Sequence, residues 1–362
     1  MPASVFIIAE AGVNHNGELE RALALVDTAA QCGVDAVKFQ TFKATALASA
    51  AAPKAAYQAR ETGSGESQLD MLRRLELSPS DHHVLAERCR ERNILFLSTP
   101  FDMGSLHFLA TDMALPVIKI GSGDLTNAPL LMQIARLGLP VILSTGMSDM
   151  DDVAEALGAL AFGYAADPAL TPGPAGFATA LQRHGDRLQG LVTLLHCTTE
   201  YPAPLADTHL RAMATLADRF GLPVGFSDHT QGITAALGAV ALGARVIEKH
   251  FTLDRTLPGP DHKASLEPAA LRALADGVRE MELALGDSIK RPCAAELSNR
   301  IVARKSVVAT GPIQAGTILD SGHLCLKRPG DGIRPAQLWQ LIGQPANRDY
   351  AADEKIDPCL LP

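Results

Sequence analysis

Short apolar runs alternate with longer amphipathic stretches from the first residues to about residue 285. The short runs, such as VFIIA and VIKIG, are rich in β-branched residues and almost continuously apolar, which is typical of parallel strands covered on both faces. Stretches such as ELERALALVDTAAQCG place apolar residues three and four apart, the spacing of a helix with one buried face. The predicted strands cover residues 5–9, 35–40, 94–98, 117–121, 141–145, 191–197, 223–228 and 245–250. Eight such strand–helix units predict an α/β fold, a (β/α)8 TIM barrel, over residues 1–286.

The alternation stops after this region. Residues 287–304 are predicted to form a linker or bridging helix. From 305 to 362, short apolar runs broken by glycine and proline predict a small β-rich domain, of a size that gains stability by docking on another surface. Two connections within the barrel region are long. Residues 43–77 begin beside candidate site residues and predict part of a lid, and residues 163–190 predict a surface excursion.

Composition narrows the class of protein. Apolar residues make up 47% and aromatic residues only 4%, so the core must consist mostly of Ala, Leu, Val and Ile. A net charge of −8 without a basic run argues against a nucleic-acid partner. The six cysteines form no CxxC pair, which favours reduced thiols, and the first residues resemble neither a leader nor a membrane span. We therefore predict a cytoplasmic protein without membrane or nucleic-acid partners.

Polar side chains end almost every predicted strand. In a parallel barrel the carboxyl ends of the strands meet at one rim, where functional groups gather. The candidates in chain order are Glu10, Lys38, Gln40, Thr99, Lys119, Ser122, Ser144, Thr199, Ser227, His229, Glu248 and His250.

Two lysines stand inside otherwise apolar strands. Burying a lysine is costly without an anionic partner, and a single one is as often a salt-bridged or snorkelling residue. Lys38 and Lys119 each have Ser, Thr or Gln neighbours at the strand ends. Together they indicate a small substrate that carries a phosphate and a carboxylate.

Two histidines end adjacent strands. A lone strand-end histidine is more often structural than a metal ligand, but His229 and His250 lie beside Asp228 and Glu248, which favours a divalent metal site. His196, one strand earlier, is an alternative third ligand. Two histidines leave coordination positions open, as Lewis-acid catalysis requires.

Nine segments in this order resemble the sialic acid synthase family, whose members include N-acetylneuraminate, N,N'-diacetyllegionaminate and pseudaminate synthases. The segments are IAEAGVNHNG, VKFQTFKA, FLSTPFD, KIGSGDLTNAPLL, ILSTGMS, LLHCTTEYPAP, GFSDHTQG, VIEKHFTLD and GPDHKASLEP. The tail KSVVATGPIQAGTILDSGHLCLKRPGDGI resembles the C-terminal antifreeze-like (SAF) domain of that family. The resemblance thus covers nearly the whole chain.

The resemblance implies a barrel followed by an antifreeze-like domain over 305–362 that is swapped onto the partner subunit of a homodimer. It implies condensation of phosphoenolpyruvate with an open-chain N-acetylated amino sugar and water, by C–O cleavage of phosphoenolpyruvate, with release of phosphate. His229 and His250 match the family's metal ligands, usually for Mn²⁺, with Mg²⁺ and Co²⁺ as alternatives. Glu10 matches the residue that handles proton transfer.

The resemblance also implies two sets of substrate contacts. The positions that contact phosphoenolpyruvate are Lys38, Thr99, Lys119, Ser122, Ser144, Thr199 and Ser227, although some members carry Asn where Thr199 stands. The positions that face the sugar are Gln40, Phe101, Asp124, Tyr201, Asp261 and, from the partner subunit's domain, Arg328.

Several alternatives stay open. The acceptor is N-acetylmannosamine or 2,4-diacetamido-2,4,6-trideoxymannose; Asp124, where several members have Glu, leaves room for a bulkier group and favours the latter. No added basic cluster marks a pocket for a 6-phosphosugar. A pseudaminate synthase is an alternative within the family. More remote alternatives are an aldolase that forms a Schiff base through Lys119 and a non-catalytic ice-binding protein suggested by the tail alone.

Overall fold

The computed structural model describes residues 4–63 and 65–361. The chain divides into two compact units, Met1–Gly286 and Asp287–Pro362. Within the described ranges, no helix combines the length and the apolar character that crossing a membrane requires.

The first unit is built on eight parallel strands. They are β1 (Phe6–Gly12), β2 (Ala36–Thr41), β3 (Leu95–Pro100), β4 (Ile118–Ile120), β5 (Val141–Ser144), β6 (Val192–Cys197), β7 (Val224–Asp228) and β8 (Val246–His250). Their order in the sheet is β3-β2-β1-β8-β7-β6-β5-β4, and the two end strands, β3 and β4, also contact each other. The sheet is therefore a nearly closed parallel barrel. Each strand predicted from the sequence is confirmed within two or three residues at its ends.

Helices alternate with these strands. They are α1 (Leu19–Gln31), α2 (Ala44–Leu47), α3 (Ala56–Thr62), α4 (Gln68–Leu75), α5 (Pro79–Glu91), α6 (Met103–His107), α7 (Ala128–Arg136), α8 (Met150–Ala165), α9 (Pro174–His184), α10 (Ala212–Phe220), α11 (Thr234–Ala241) and α12 (Pro268–Leu285). The main core lies between the outer face of the sheet and these helices. This alternation is the arrangement of a (β/α)8 barrel, as predicted.

A smaller apolar cluster fills the inside of the barrel. Each member comes from a different strand, and they are Ile8, Ala36, Leu97, Ile142, Leu195 and Val246. Successive side chains of a strand point to opposite faces, so the residue two positions further along also faces inward. This cluster is therefore the floor beneath whatever lies at the carboxyl ends of the strands.

Both long connections contain helices. The connection after β2 holds α2, α3 and α4. The connection before β6 holds α9, which packs on α8 with the Phe162 and Phe177 rings 5.8 Å apart and with Phe177 and Ala180 buried. The predicted surface excursion is thus largely a helix with one buried face.

The second unit has its own small core. Its elements are α13 (Ala294–Ala303), β9 (Ser306–Ala309), β10 (Leu324–Lys327) and α14 (Leu338–Leu341). The two strands pair antiparallel, and isolated bridges such as Ile313 with Tyr350 extend the pairing. Val307, Leu324 and Tyr350 are among its buried side chains. The segment predicted as a linker contains α13 and falls within this unit.

Candidate active site

The polar residues at the strand ends stand directly above the apolar floor. Ile8 is followed two positions later by Glu10, and Ala36 by Lys38. The same step leads from Val246 to Glu248 and then to His250. Because every second side chain of a strand points to the same side, the inward-facing side chains of each strand form a column. The lower residue of the column belongs to the apolar floor and the next ones belong to the site.

These columns line a cavity of about 500 Å³ at the carboxyl ends of the strands. The candidates from the first unit that line it are Glu10, Lys38, Gln40, Thr99, Phe101, Lys119, Ser122, Ser144, Thr199, Tyr201, Ser227, His229, Glu248 and His250. The volume falls within the range of pockets that bind small molecules.

A network of buried charges lies at the base of the cavity. Lys38 Nζ is 2.5 Å from Glu10 Oε2 and 3.6 Å from Glu248 Oε2, and Lys119 Nζ is 3.2 Å from Glu248 Oε1. Glu248 Oε1 also accepts a hydrogen bond of 2.8 Å from Ser227 Oγ. All four charged side chains are at most 6% exposed. Each lysine thus has an internal anion as its partner.

Hydroxyl groups complete the surroundings of the lysines. Lys119 Nζ donates to Ser144 Oγ at 2.8 Å, and Lys38 Nζ donates to Thr99 Oγ1 at 3.2 Å. The Gly146 amide donates to Ser122 Oγ at 3.0 Å, while the buried Thr199 Oγ1 has no hydrogen-bond partner among the described residues. Ammonium groups and hydroxyls that converge in this way suit an oxyanion ligand.

The buried charges shift one another's pKa. Burial raises the pKa of Glu10 to about 7, with Lys38 opposing and Glu248 reinforcing the rise. Burial acts in the same direction on Glu248, but Lys119 and Lys38 outweigh it and lower its pKa to about 2. Burial acts to lower the pKa of Lys38, but the Glu10 and Glu248 carboxylates raise it overall. Glu10 is therefore the carboxyl of the network that can gain or lose a proton near neutral pH.

The two histidines lie side by side at the cavity wall. The ring centroids of His229 and His250 are 5.6 Å apart, and Tyr201 lies 4.1 Å from the first ring and 5.5 Å from the second. Burial lowers the pKa of His229 to about 4 and that of His250 well below its usual range, so both imidazoles are neutral at neutral pH.

The hydrogen bonds of this pair leave nitrogen lone pairs available. His229 Nδ1 donates to the Thr198 carbonyl at 2.6 Å, which leaves Nε2 as an acceptor. His250 Nδ1 is buried and has no hydrogen-bond partner among the described residues. Neutral imidazoles with lone pairs on one cavity wall fit a divalent ion. The described residues contain no cluster of three or more His, Cys, Asp or Glu that could hold a metal, so the protein would provide these two ligands.

Three candidates lie outside the cavity lining. His196, the alternative third ligand, faces the other way on β6: its Nε2 donates to the Thr208 carbonyl at 2.7 Å and its ring stacks on Phe226. Asp124 accepts a hydrogen bond from Asn127 Nδ2 at 2.9 Å. Burial and then the neighbouring Tyr57 raise the pKa of the Tyr201 phenol, and the buried Asp261 adds to that rise.

Sequence reasoning missed one wall of the cavity. Leu47, Tyr57, Gln58, Gln68 and Leu72 line it from the connection after β2. The strand-end rule cannot find residues on an inserted segment; the only signal was the length of that connection and its start beside the site.

Comparison with known proteins identifies the family. A match to the NeuB family spans residues 25–290, most of the chain. An N,N'-diacetyllegionaminic acid synthase of Campylobacter jejuni is 46% identical over 350 residues, which cover 97% of this chain and 98% of that protein. This chain belongs to the NeuB family. An N,N'-diacetyllegionaminic acid synthase of Legionella pneumophila is 42% identical, covering 96% of this chain and 92% of that protein.

A solved NeuB-type structure agrees with the fold. The N-acetylneuraminic acid synthetase of Leptospira borgpetersenii, in complex with citrate, superposes with a TM-score of 0.66 at 33% identity, covering 82% of this chain and 90% of that one. The resemblance to the sialic acid synthase family is confirmed, and the likeness of the tail to an antifreeze-like domain stays a prediction. The protein is therefore a phosphoenolpyruvate-dependent synthase that forms a carbon–carbon bond.

Proposed function

We propose that the protein condenses phosphoenolpyruvate with open-chain 2,4-diacetamido-2,4,6-trideoxymannose and water to give N,N'-diacetyllegionaminate and phosphate. The observation that carries this is the convergence of two buried lysines and two neutral imidazoles on one cavity. The two diacetyllegionaminic acid synthases described above support this acceptor over N-acetylmannosamine.

Phosphoenolpyruvate is proposed to bind at the base of the cavity. Its phosphate and carboxylate would take the place of Glu10 and Glu248 as partners of the two lysines, with hydroxyl donors from Thr99, Ser122, Ser144, Thr199 and Ser227. Holding the enol carbon against the sugar aldehyde removes most of the entropic cost of bringing two molecules together, on the order of 7–11 kcal/mol.

His229 and His250 are the residues that would hold the divalent metal of this family, proposed as Mn²⁺ with Mg²⁺ and Co²⁺ as alternatives. A metal bound there supplies Lewis-acid polarisation of a substrate oxygen. The imidazoles contribute by staying neutral and oriented, since burial prevents their protonation and the Thr198 carbonyl fixes the tautomer of His229.

Carbon–carbon bond formation comes first. The enol carbon of phosphoenolpyruvate attacks the aldehyde carbon, the aldehyde oxygen becomes an alkoxide, and positive charge develops at the carbon that bears the phosphate. Water adds to that carbon and gives one proton to Glu10, which passes it on to the alkoxide, a role that the Glu10 pKa of about 7 suits. The other proton of the water leaves with phosphate as the C–O bond breaks, so the products are a hydroxy ketone and inorganic phosphate.

The sugar is proposed to face Gln40, Phe101, Tyr201, Asp261 and Asp124, with Arg328 supplied by the partner subunit of a domain-swapped homodimer. Arg328 lies exposed on the second unit. Apolar side chains of α13, namely Leu297, Ile301 and Val302, are 51–66% exposed, which is unusual for an unpartnered surface.

Subunit exchange tests the swap. We expect Glu10→Gln and Arg328→Ala proteins to be inactive or weak alone, whereas a swapped mixed dimer would pair one intact barrel with one intact Arg328. Recovery of activity after the two variants are unfolded and refolded together supports the swap. If mixing restores nothing while wild-type protein regains its activity in the same protocol, Arg328 acts within its own chain.

Phosphate release tests the reaction itself. Purified protein with phosphoenolpyruvate and Mn²⁺ should release phosphate with 2,4-diacetamido-2,4,6-trideoxymannose, and product mass should equal sugar plus pyruvate. Preference for the isomeric acceptor that leads to pseudaminate would identify a pseudaminate synthase instead. Trapping of a pyruvate adduct on Lys119 by borohydride would identify a Schiff-base aldolase.

A further inference from the structure

The wall supplied by the connection after β2 lies above the reacting end of the cavity. Tyr57 at the start of α3 packs against Tyr201 with ring centroids 4.8 Å apart, and Tyr201 in turn contacts the imidazole pair. Leu47 of α2 and Gln68 and Leu72 of α4 line the same cavity. A sugar whose aldehyde lies at the imidazoles can therefore place its other carbons along this wall.

Helix α4 directs its charged residues away from the cavity. Gln68 and Leu72 are four residues apart, so they lie one above the other on the face that lines the cavity. Leu69 and Met71 anchor the helix in a buried cluster. The charged residue Arg73 is 52% exposed and pairs with Asp70 outside the cavity. The helix thus presents a carboxamide and an isobutyl group to the cavity and directs its charges elsewhere.

The carboxamides of the wall have unused hydrogen-bonding capacity. Gln58 Oε1 accepts from the Ala55 amide at 3.0 Å and its side chain also bonds to the Tyr57 phenol, which leaves one N–H of its NH₂ group available. Gln68 is half-buried and lines the cavity, and no hydrogen bond ties its side chain to another described residue. A carboxamide can both donate to the carbonyl and accept from the N–H of an acetamido group.

The wall carries no cation. Among the described residues that line the cavity, the charged cations are Lys38 and Lys119, and both belong to the base. A phosphate packed against this wall would meet leucine, tyrosine and glutamine, and the wall itself would not compensate its desolvation. A methyl group and an amide suit the same surface.

We propose that Gln68, Leu72 and Gln58 form a specificity subsite for the second acetamido group and the methyl end of the acceptor. The subsite selects a twice N-acetylated 6-deoxy sugar over N-acetylmannosamine and over its 6-phosphate. This inference rests on the proposed function.

Gln68→Leu tests the subsite, because it keeps the size of the side chain and removes the carboxamide. We expect kcat/KM for 2,4-diacetamido-2,4,6-trideoxymannose to fall by about 2- to 10-fold, the effect of one neutral hydrogen bond. The values for N-acetylmannosamine and the KM for phosphoenolpyruvate should stay unchanged. Gln68→Glu, which keeps the shape, should lose the same discrimination.

Arg73→Gln is the matched control, since it alters the opposite face of the same helix and should leave both sugars unaffected. Equal losses for both sugars in the two Gln68 variants, or no loss for either, would overturn the subsite. The proposed function fails in a different way, if wild-type protein releases phosphate with neither sugar.

Discussion

Replacing Asp261 with Asn should stabilise the fold at alkaline pH while impairing use of the sugar. Asp261 is 6% exposed, and burial raises the pKa of its carboxyl from 3.8 to about 6. That rise corresponds to on the order of 3 kcal/mol. The folded state binds this proton more tightly than the unfolded state, so the cost of ionisation is absent below about pH 4, grows between pH 4 and 6, and is complete above pH 6.

The measurement is the melting temperature of Asp261→Asn against wild type across this pH range. For a barrel of this size we expect the variant to melt about 3–5 °C higher at pH 8, with the difference vanishing by pH 4. The KM for the sugar should rise and that for phosphoenolpyruvate should not. Asp218→Asn, on an exposed part of α10, is the control. A variant that melts lower than wild type at pH 8, with no dependence on pH, would refute the reasoning.

Three further predictions concern the site and its support. His250→Ala should abolish turnover that depends on Mn²⁺ and weaken Mn²⁺ binding in calorimetry, with an unchanged circular dichroism spectrum. Undiminished activity of the wild-type protein in metal-free buffer would contradict the assignment of His250 as a metal ligand. Arg328→Ala should raise the KM for the sugar far more than that for phosphoenolpyruvate in steady-state assays, and equal effects would mean that Arg328 does not contact the sugar. Lys249→Met should lower the free energy of unfolding by about 3–5 kcal/mol in chemical denaturation, because it leaves the Asp228 carboxylate as a buried, unpaired charge. The two side chains are both 0% exposed, and their charged atoms are 2.8 Å apart. The double variant Asp228→Leu/Lys249→Met should recover much of this loss, and additive losses would exclude the pairing as the cause.

The barrel and the rim of its site were predictable because their signals are local. Eight apolar runs and the helical periodicity between them specify the strands, and polar residues at the run ends specify the rim. The alternation of side chains along β6 also predicts that His196 faces away from the cavity. Leu195 belongs to the inner floor and Cys197 contacts Ser122, so the residue between them must face outward.

Other features depend on contacts between distant segments. That Glu248 would pair with two lysines from β2 and β4 follows from the diameter of the barrel, which no local pattern records. The wall formed by Gln68 and Leu72 depends on how α4 folds back over the rim. Asp261 lies in the loop after β8, and the family resemblance implied that it faces the sugar but did not predict its burial.

In the proposed mechanism, the charge network would couple the basicity of Glu10 to substrate binding. Two lysines buried at the base of the barrel require anions even before substrate arrives, and Glu10 and Glu248 provide them. While Lys38 is paired with Glu10, it holds the pKa of that carboxyl down against the effect of burial. If phosphoenolpyruvate takes Lys38 as its partner, as proposed, this restraint is removed and the Glu10 carboxylate would bind a proton more strongly. The stronger proton acceptor would then be present when a water molecule has to be deprotonated.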